Sequence, residues 1–234
     1  MTKKMLFALS AILCLYQFNS TAQTVPSTDF AAMAQKEMKK NKPKLGLKAG
    51  FNYAKVTGTK MQDFDPRSHS GFMVSAFYAP VPRGGKGFRT EVVFSRQGFA
   101  FDQSGKMQNV TQDYIYLPQL TTFSIGKWVQ LQAGGQIGFL LNAQKKAADE
   151  SNGSQSNVAD YMNKLDYGVA CGLEIYPVGG LIIGGRYNVG LGNVYKQYNT
   201  AGNTPTPIPS PLPFNPAEMK GKNAVVQIFI GYRF

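Results

Sequence analysis

From Leu45 to Phe234 apolar residues recur at every second position, and clusters of Gly, Pro, Asn and Ser interrupt them at intervals. Successive side chains of a strand point to opposite sides, so a period of two indicates strands with one apolar face. Eight segments are predicted, at residues 45–55, 70–79, 87–98, 113–125, 128–141, 164–176, 181–192 and 223–234. In the fifth, Val129, Leu131, Ala133, Ile137, Phe139 and Leu141 oppose Gln130, Gln132, Gln136 and Gly138. In the sixth, Leu165, Tyr167, Val169, Cys171, Leu173 and Ile175 oppose Asp166, Gly168, Ala170, Gly172 and Glu174. The eighth sorts the same way, Ala224, Val226, Ile228, Ile230, Tyr232 and Phe234 against Gln227, Gly231 and Arg233. The fourth fits less well: Pro118 cannot donate a ladder hydrogen bond, and a bulge is expected there.

The connections run 14, 7, 14, 2, 22, 4 and 30 residues, so short turns and long loops fall at opposite ends of the strands. Short turns at one end, long loops at the other and strands of 10 to 14 residues are the pattern of an outer-membrane barrel. The predicted fold is therefore all-β, an eight-stranded antiparallel up-and-down transmembrane β-barrel over residues 45–234. An even strand number puts both termini on the periplasmic side. Parity alone fits a soluble barrel equally well, since such a sheet also alternates, with its apolar face inside. An export signal, a Gly-rich polar face suited to a filled lumen and the aromatic last residue favour the membrane form.

That signal occupies residues 1–22, where Lys3 and Lys4 precede an apolar run from Leu6 to Phe18 and the small residues Ser20, Thr21 and Ala22. Cleavage is expected after Ala22. Residues 23–44 form few β patterns and are expected to be a flexible or weakly helical periplasmic leader. Cys14 is not a lipid acceptor, because Leu13 is too large for such a site, and Cys171 is then alone, which excludes an intramolecular disulfide in the mature chain.

Composition narrows the function. No run after the N-terminus reaches the 18 or so apolar residues of a membrane helix. The 25 glycines suit close packing inside a narrow barrel. Net charge is +12, and loss of Lys3 and Lys4 leaves +10. Without a basic helix or nucleic-acid motif this reads as a solvated or lipopolysaccharide-facing surface, with the basic residues clustered in Lys36 to Lys48 and no nucleic-acid partner.

The inward positions hold Arg89, Glu91, Asp166, Glu174 and Arg186, which should pair into a charge network that plugs the lumen. A proton or ion path gated by that network is the functional alternative. Eight strands leave no wide channel, so a diffusion porin is excluded. His69 is the sole histidine, beside Ser68 and Ser70 in the first predicted loop and near Asp63 and Asp65. A hydrolase or acyltransferase can be assembled from these only on paper, because neighbours in an extended loop point in different directions. A metal site is not expected from one His without a partner ligand, and no catalytic residue or cofactor is expected. Residues 204–214 are Pro-rich and favour an extended strut, in which Ile208, Leu212 and Phe214 could contact a partner. Tyr53, Tyr78, Phe88, Tyr114, Trp128, Tyr187 and Phe234 fall near strand ends, as in the aromatic girdles of membrane barrels.

Residues 45–52, Leu-Gly-Leu-Lys-Ala-Gly-Phe-Asn, open the barrel, Tyr116-Leu117-Pro118 lies in strand four, and Gly231-Tyr232-Arg233-Phe234 closes the chain. Across residues 45–234 the chain resembles the PorT-like outer-membrane β-barrel proteins of Bacteroidetes, a porin-family barrel of OmpA/OmpX type. The resemblance implies insertion by the barrel assembly machinery, with Ile230, Tyr232 and Phe234 as its C-terminal signal, and for some members a role in protein secretion or gliding. Three functions follow as expectations. The first is a non-enzymatic anchor whose loops or leader engage partners or surface glycolipid. The others are an accessory of a type IX secretion machine, and an enzyme built on His69.

Overall fold

The computed structural model describes residues 42–58, 66–82, 86–103, 105–147, 156–196 and 220–234, and residues 42–234 form one compact unit. Eight long strands build it: β1 Lys44–Gly58, β2 Arg67–Ala79, β3 Lys86–Gln103, β4 Lys106–Ile125, β5 Val129–Ala147, β6 Leu165–Ile175, β7 Leu181–Gly190 and β8 Gly221–Arg233. Each pairs antiparallel with its sequence neighbours, and β1 pairs with β8 from Gly46↔Arg233 to Gly58↔Gly221. The sheet is thereby a closed ring, and closure leaves no row of unpaired backbone groups along a free edge.

Parity alone left open which side of each strand faces in; the expected membrane form puts the polar side inside, and the structure has it there. Phe51 is 76% exposed and Ile228 66%, and with Leu47, Leu131, Ile137, Tyr167, Val169, Leu173 and Ile230 they form an apolar outer belt. Asn52, Gln97, Gln132, Gln136, Gln227 and the charged residues described below are buried inside. A water-soluble barrel has the opposite arrangement. No helix among the described residues is long and apolar enough to cross a membrane, and the belt belongs to strands.

Glycine makes room for the large side chains of this narrow interior. A Cβ at Gly138 would stand 2.3 Å from the Tyr116 ring, and one at Gly46 would stand 2.3 Å from that of Phe77. Real Cβ atoms do not approach so closely, so glycine there accommodates the ring of its paired residue on the adjacent strand.

Three expectations are corrected. The 14-residue loop expected between the third and fourth strands is a hairpin: β3 runs to Gln103 and β4 starts at Lys106. Phe99, Phe101 and Val110 continue the inward alternation, and the turn is closed by Gly105 (φ 78°), whose N–H donates to Asp102 Oδ1 at 2.9 Å. Pro118 causes no bulge. It pairs in register with Gln136, and the β3–β4 ladder skips from Thr90↔Gln119 to Val93↔Tyr116 without slipping. The slip in β4–β5 lies between Asp113↔Asn142 and Tyr114↔Leu140, with Leu141 as the extra residue. Tyr114, expected in a girdle, shares the parity of Tyr116; it is 1% exposed and stacks on that ring at 5.2 Å.

The strand ends without long loops carry the described termini and are called the terminal end; the opposite one is the loop end. Beyond the strands at the loop end, Ser156–Asn157 pairs with β5, and a 3₁₀ turn, Ala159–Tyr161, follows.

Candidate functional site

The interior is filled in three tiers, and the lowest, toward the terminal end, is ionic. β1, β3, β6 and β7 aim Lys48, Arg89, Glu91, Glu174 and Arg186 at one another. Lys48 Nζ donates to Glu91 Oε1 at 2.6 Å and to Glu174 Oε1 at 3.2 Å. Arg186 meets Glu91 with two bonds of 2.9 Å, and Arg89 Nη1 lies 2.7 Å from both oxygens of Glu174. Gln132 accepts from Arg186 at 2.8 Å, while Gln130 and the Tyr176 hydroxyl accept from Arg89 at 2.7 and 2.9 Å. Two rings wall the cluster: Lys48 Nζ sits 5.2 Å from the centre of Phe77 and 4.7 Å from that of Phe229. Charges removed from water are tolerated only with this density of partners, since desolvation otherwise exceeds the Coulombic gain.

The membership differs from the sequence expectation in two residues. Arg89, Glu91, Glu174 and Arg186 share the network. Asp166 does not: it lies higher, accepting from the Tyr116 hydroxyl and from Asn223 Nδ2, each at 3.0 Å. Lys48, grouped by sequence with a solvated basic cluster, is a fully buried member of the network. Its alternation with Leu47 and Ala49 carried the signal.

Asp166 belongs to the middle tier, which is polar and uncharged apart from that carboxyl. Its centre is Asn52. The Asn52 amide donates to Phe72 O (2.9 Å), Arg96 O (2.9 Å) and Ser95 Oγ (2.8 Å), and its carbonyl accepts from Gln227 at 3.0 Å. Phe72 and Arg96 lie within the register slip in β2–β3, between Ser68↔Phe99 and Met73↔Ser95, and the side chain bonds their carbonyls where the ladder is irregular. Between the two polar tiers lies a cavity of about 10 Å³, lined in part by Gln136, Asp166, Arg186 and Asn188, enough for about one water.

The upper tier is apolar. Phe99, Phe101, Val110 and Ala143 from the extended strands meet Val158, Met162, Val194 and Tyr195 from the segments folded over the mouth. Phe99 and Tyr195 meet edge to face at 6.4 Å, Met162 bridges Tyr195 through the backbone, and Asn163 Nδ2 donates to Asn193 O and Tyr195 O. Burial pushes the Tyr195 hydroxyl well above the ordinary tyrosine range. Sequence reasoning missed this cap because its halves lie in segments expected to be loops.

Among the described residues the other candidates are not assembled into a site. His69 lies on β2 opposite Ala54, not in a loop; strand alternation turns Ser70 to the other face, and Ser68 pairs with Phe99 at the edge of the slip in β2–β3. Asp63 and Asp65 lie outside the described residues, as do Ile208, Leu212 and Phe214 and residues 1–41 of the expected signal and leader. Ile230, Tyr232 and Phe234 are exposed on the outer face; the rings of the last two meet at 5.2 Å, and the Phe234 N–H donates to Leu45 O at 2.9 Å. Among the described residues no group of His, Cys, Asp and Glu could hold a metal ion.

A family model described as outer membrane protein beta-barrel domain matches residues 33–196. No curated protein matches the chain. Among solved structures, the attachment invasion locus protein Ail of Yersinia pestis is 15% identical, with a TM-score of 0.45 over 82% of this chain and 99% of Ail. Neisserial surface protein A is 14% identical, with a TM-score of 0.46 over 81% and 97%. OprG of Pseudomonas aeruginosa is 12% identical, with a TM-score of 0.41 over 83% and 97%.

Proposed function

Because the chain belongs to the outer membrane protein beta-barrel domain family, we propose that it is a non-enzymatic outer-membrane anchor whose loop end engages partners outside the cell. The observation that carries this reading is the filled interior. An ionic tier of five charged side chains, a polar tier and an apolar cap fill it, and the cavity between the first two has room for about one water, so a solute path through the barrel is not supported. Function then falls to the surfaces outside the lumen. The loop between β7 and β8, with Ile208, Leu212 and Phe214, is the proposed contact segment, and surface glycolipid and envelope proteins are the proposed partners. The orientation goes with it: a signal removed after Ala22, a periplasmic leader through residue 44 and periplasmic termini, with Ile230, Tyr232 and Phe234 read by the assembly machinery.

The test is protease treatment of intact cells combined with gel migration before and after boiling. Cleavage within 142–163 or 193–222 from outside, together with a boiling-dependent shift, is the expected result. A soluble chain without a shift would refute the anchor. A narrower reading, that the chain is PorT-like and serves a secretion machine, is supported by the motifs at Leu45–Asn52, Tyr116–Pro118 and Gly231–Phe234. On that reading a detergent pull-down recovers secretion components in stoichiometric yield, and their absence would reject it.

A further inference from the structure

The charges outside the lumen are distributed unevenly between the two ends. At the loop end both signs are present, with Asp102 and Asp160 among Lys55, Lys106, Lys145, Lys164 and Lys222. At the terminal end every described charged side chain other than the five of the ionic tier is a cation: Lys42, Lys44, Lys86, Lys127 and Arg233. None of them is in an ion pair with another described residue. Such a one-signed rim is self-repulsive unless it meets an anion.

Its position says which anion. Lys86 is exposed and pairs with Phe123 on the outer face, one step below Phe88. Lys127 is exposed in the turn at Gly126, between Ile125 and Trp128, which are 57% and 59% exposed. Arg233 has the inward parity instead, and packs 4.2 Å over the Tyr176 ring below the ionic tier. Lys86 and Lys127 thus stand where the apolar belt ends, at the level of lipid headgroups and not of a protein held at a distance.

We propose that the terminal rim is a binding collar for anionic phospholipid headgroups, Lys86 and Lys127 taking the phosphate while the adjoining Phe88, Phe123 and Trp128 take the acyl-chain side. This rests on the outer-membrane location of the family and not on the choice of external partner. A surface cation contributes about fivefold to the local preference for an anionic over a neutral lipid at low salt.

Trp128 is the chain's single tryptophan and lies in the collar, so it reports which lipid is beside it. The protein is refolded into vesicles of about three parts phosphatidylcholine to one part phosphatidylglycerol. In paired samples the acyl-chain bromine quencher is carried either by the phosphatidylglycerol or by an equal amount of the phosphatidylcholine. The expected result is stronger quenching by brominated phosphatidylglycerol, with the ratio falling to one in K86Q/K127Q and, for the unaltered protein, in about 0.5 M salt, where screening is within a few Å. A ratio of one in the unaltered protein at low salt would overturn the collar, as would a ratio that survives in K86Q/K127Q shown to be folded by its gel shift. The salt arm decides the question on the unaltered chain if that variant does not fold. Quenching by neither lipid would overturn the membrane placement as well, which separates the two failures.

Discussion

Replacing Glu91 with Gln tests whether the lowest tier is held together by charge. Glu91 accepts from Lys48 and twice from Arg186, and its side chain is fully excluded from solvent. The cluster holds three cations (Lys48, Arg89, Arg186) and two carboxylates, a net +1 when all are ionised; E91Q makes it +2 and turns an amide N–H₂ toward existing donors. Removing one partner of a buried ion pair costs about 3–5 kcal/mol, and E91Q is expected to lower the unfolding free energy by that amount. K48M should cost far less, under about 1 kcal/mol, because Arg186–Glu91 and Arg89–Glu174 remain paired and a Met suits the space between Phe77 and Phe229. K48M/E91Q restores the net +1 and should recover about 1–3 kcal/mol of the E91Q loss, as a coupled pair does. Urea unfolding in phospholipid vesicles, followed by Trp128 fluorescence and gel migration, measures all three. A loss below about 1 kcal/mol for E91Q, or a double variant equal to the sum of the singles, would refute the claim that charge pairing organises this tier.

N52L removes the amide that serves Phe72 O, Arg96 O and Ser95 Oγ, and two or more buried acceptors left without a donor should cost about 2–4 kcal/mol in the same unfolding assay. An unchanged midpoint would mean that the slipped ladder closes without it. G138A puts a methyl 2.3 Å from the Tyr116 ring and should cost about 1–3 kcal/mol by overpacking, while G138A/Y116L should recover most of that loss; no recovery would place the strain elsewhere. Cys171 is exposed on the outer face between Val169 and Leu173, so in intact membranes a lipid-soluble maleimide should label it and a charged, membrane-impermeant thiol reagent should not. Rapid labelling by the charged reagent would refute the assignment of that face to lipid.

What the sequence determined by itself is everything that strand parity and turn chemistry encode. Eight strands and their sorting into two faces are local properties, legible in Leu165–Ile175 or Ala224–Phe234 without knowledge of any neighbour; the expected alternation of short turns with long loops failed at Gln103–Lys106, where strand pairing continues into a hairpin. Parity even held the sign of Lys48, between outward Leu47 and Ala49, although charge clustering obscured it. Alternation is symmetric between a soluble and a membrane barrel, so parity did not decide which face is inside; the export signal and the Gly-rich polar face pointed to the membrane form, and the tertiary structure has the polar face inside. Tertiary structure alone decided which inward residues meet. Glu91 and Arg186 are 95 residues apart and bonded, while Asp166 shares the inward parity of Glu174 on the same strand but stands eight residues higher and joins a different tier. Meeting depends on how far each strand is staggered past the next around a closed ring, and on slips such as those at Ser68/Met73 and Asp113/Tyr114. Stagger is a property of the whole ring, fixed by closure and by which side chains can fill one narrow lumen, and no single strand carries it.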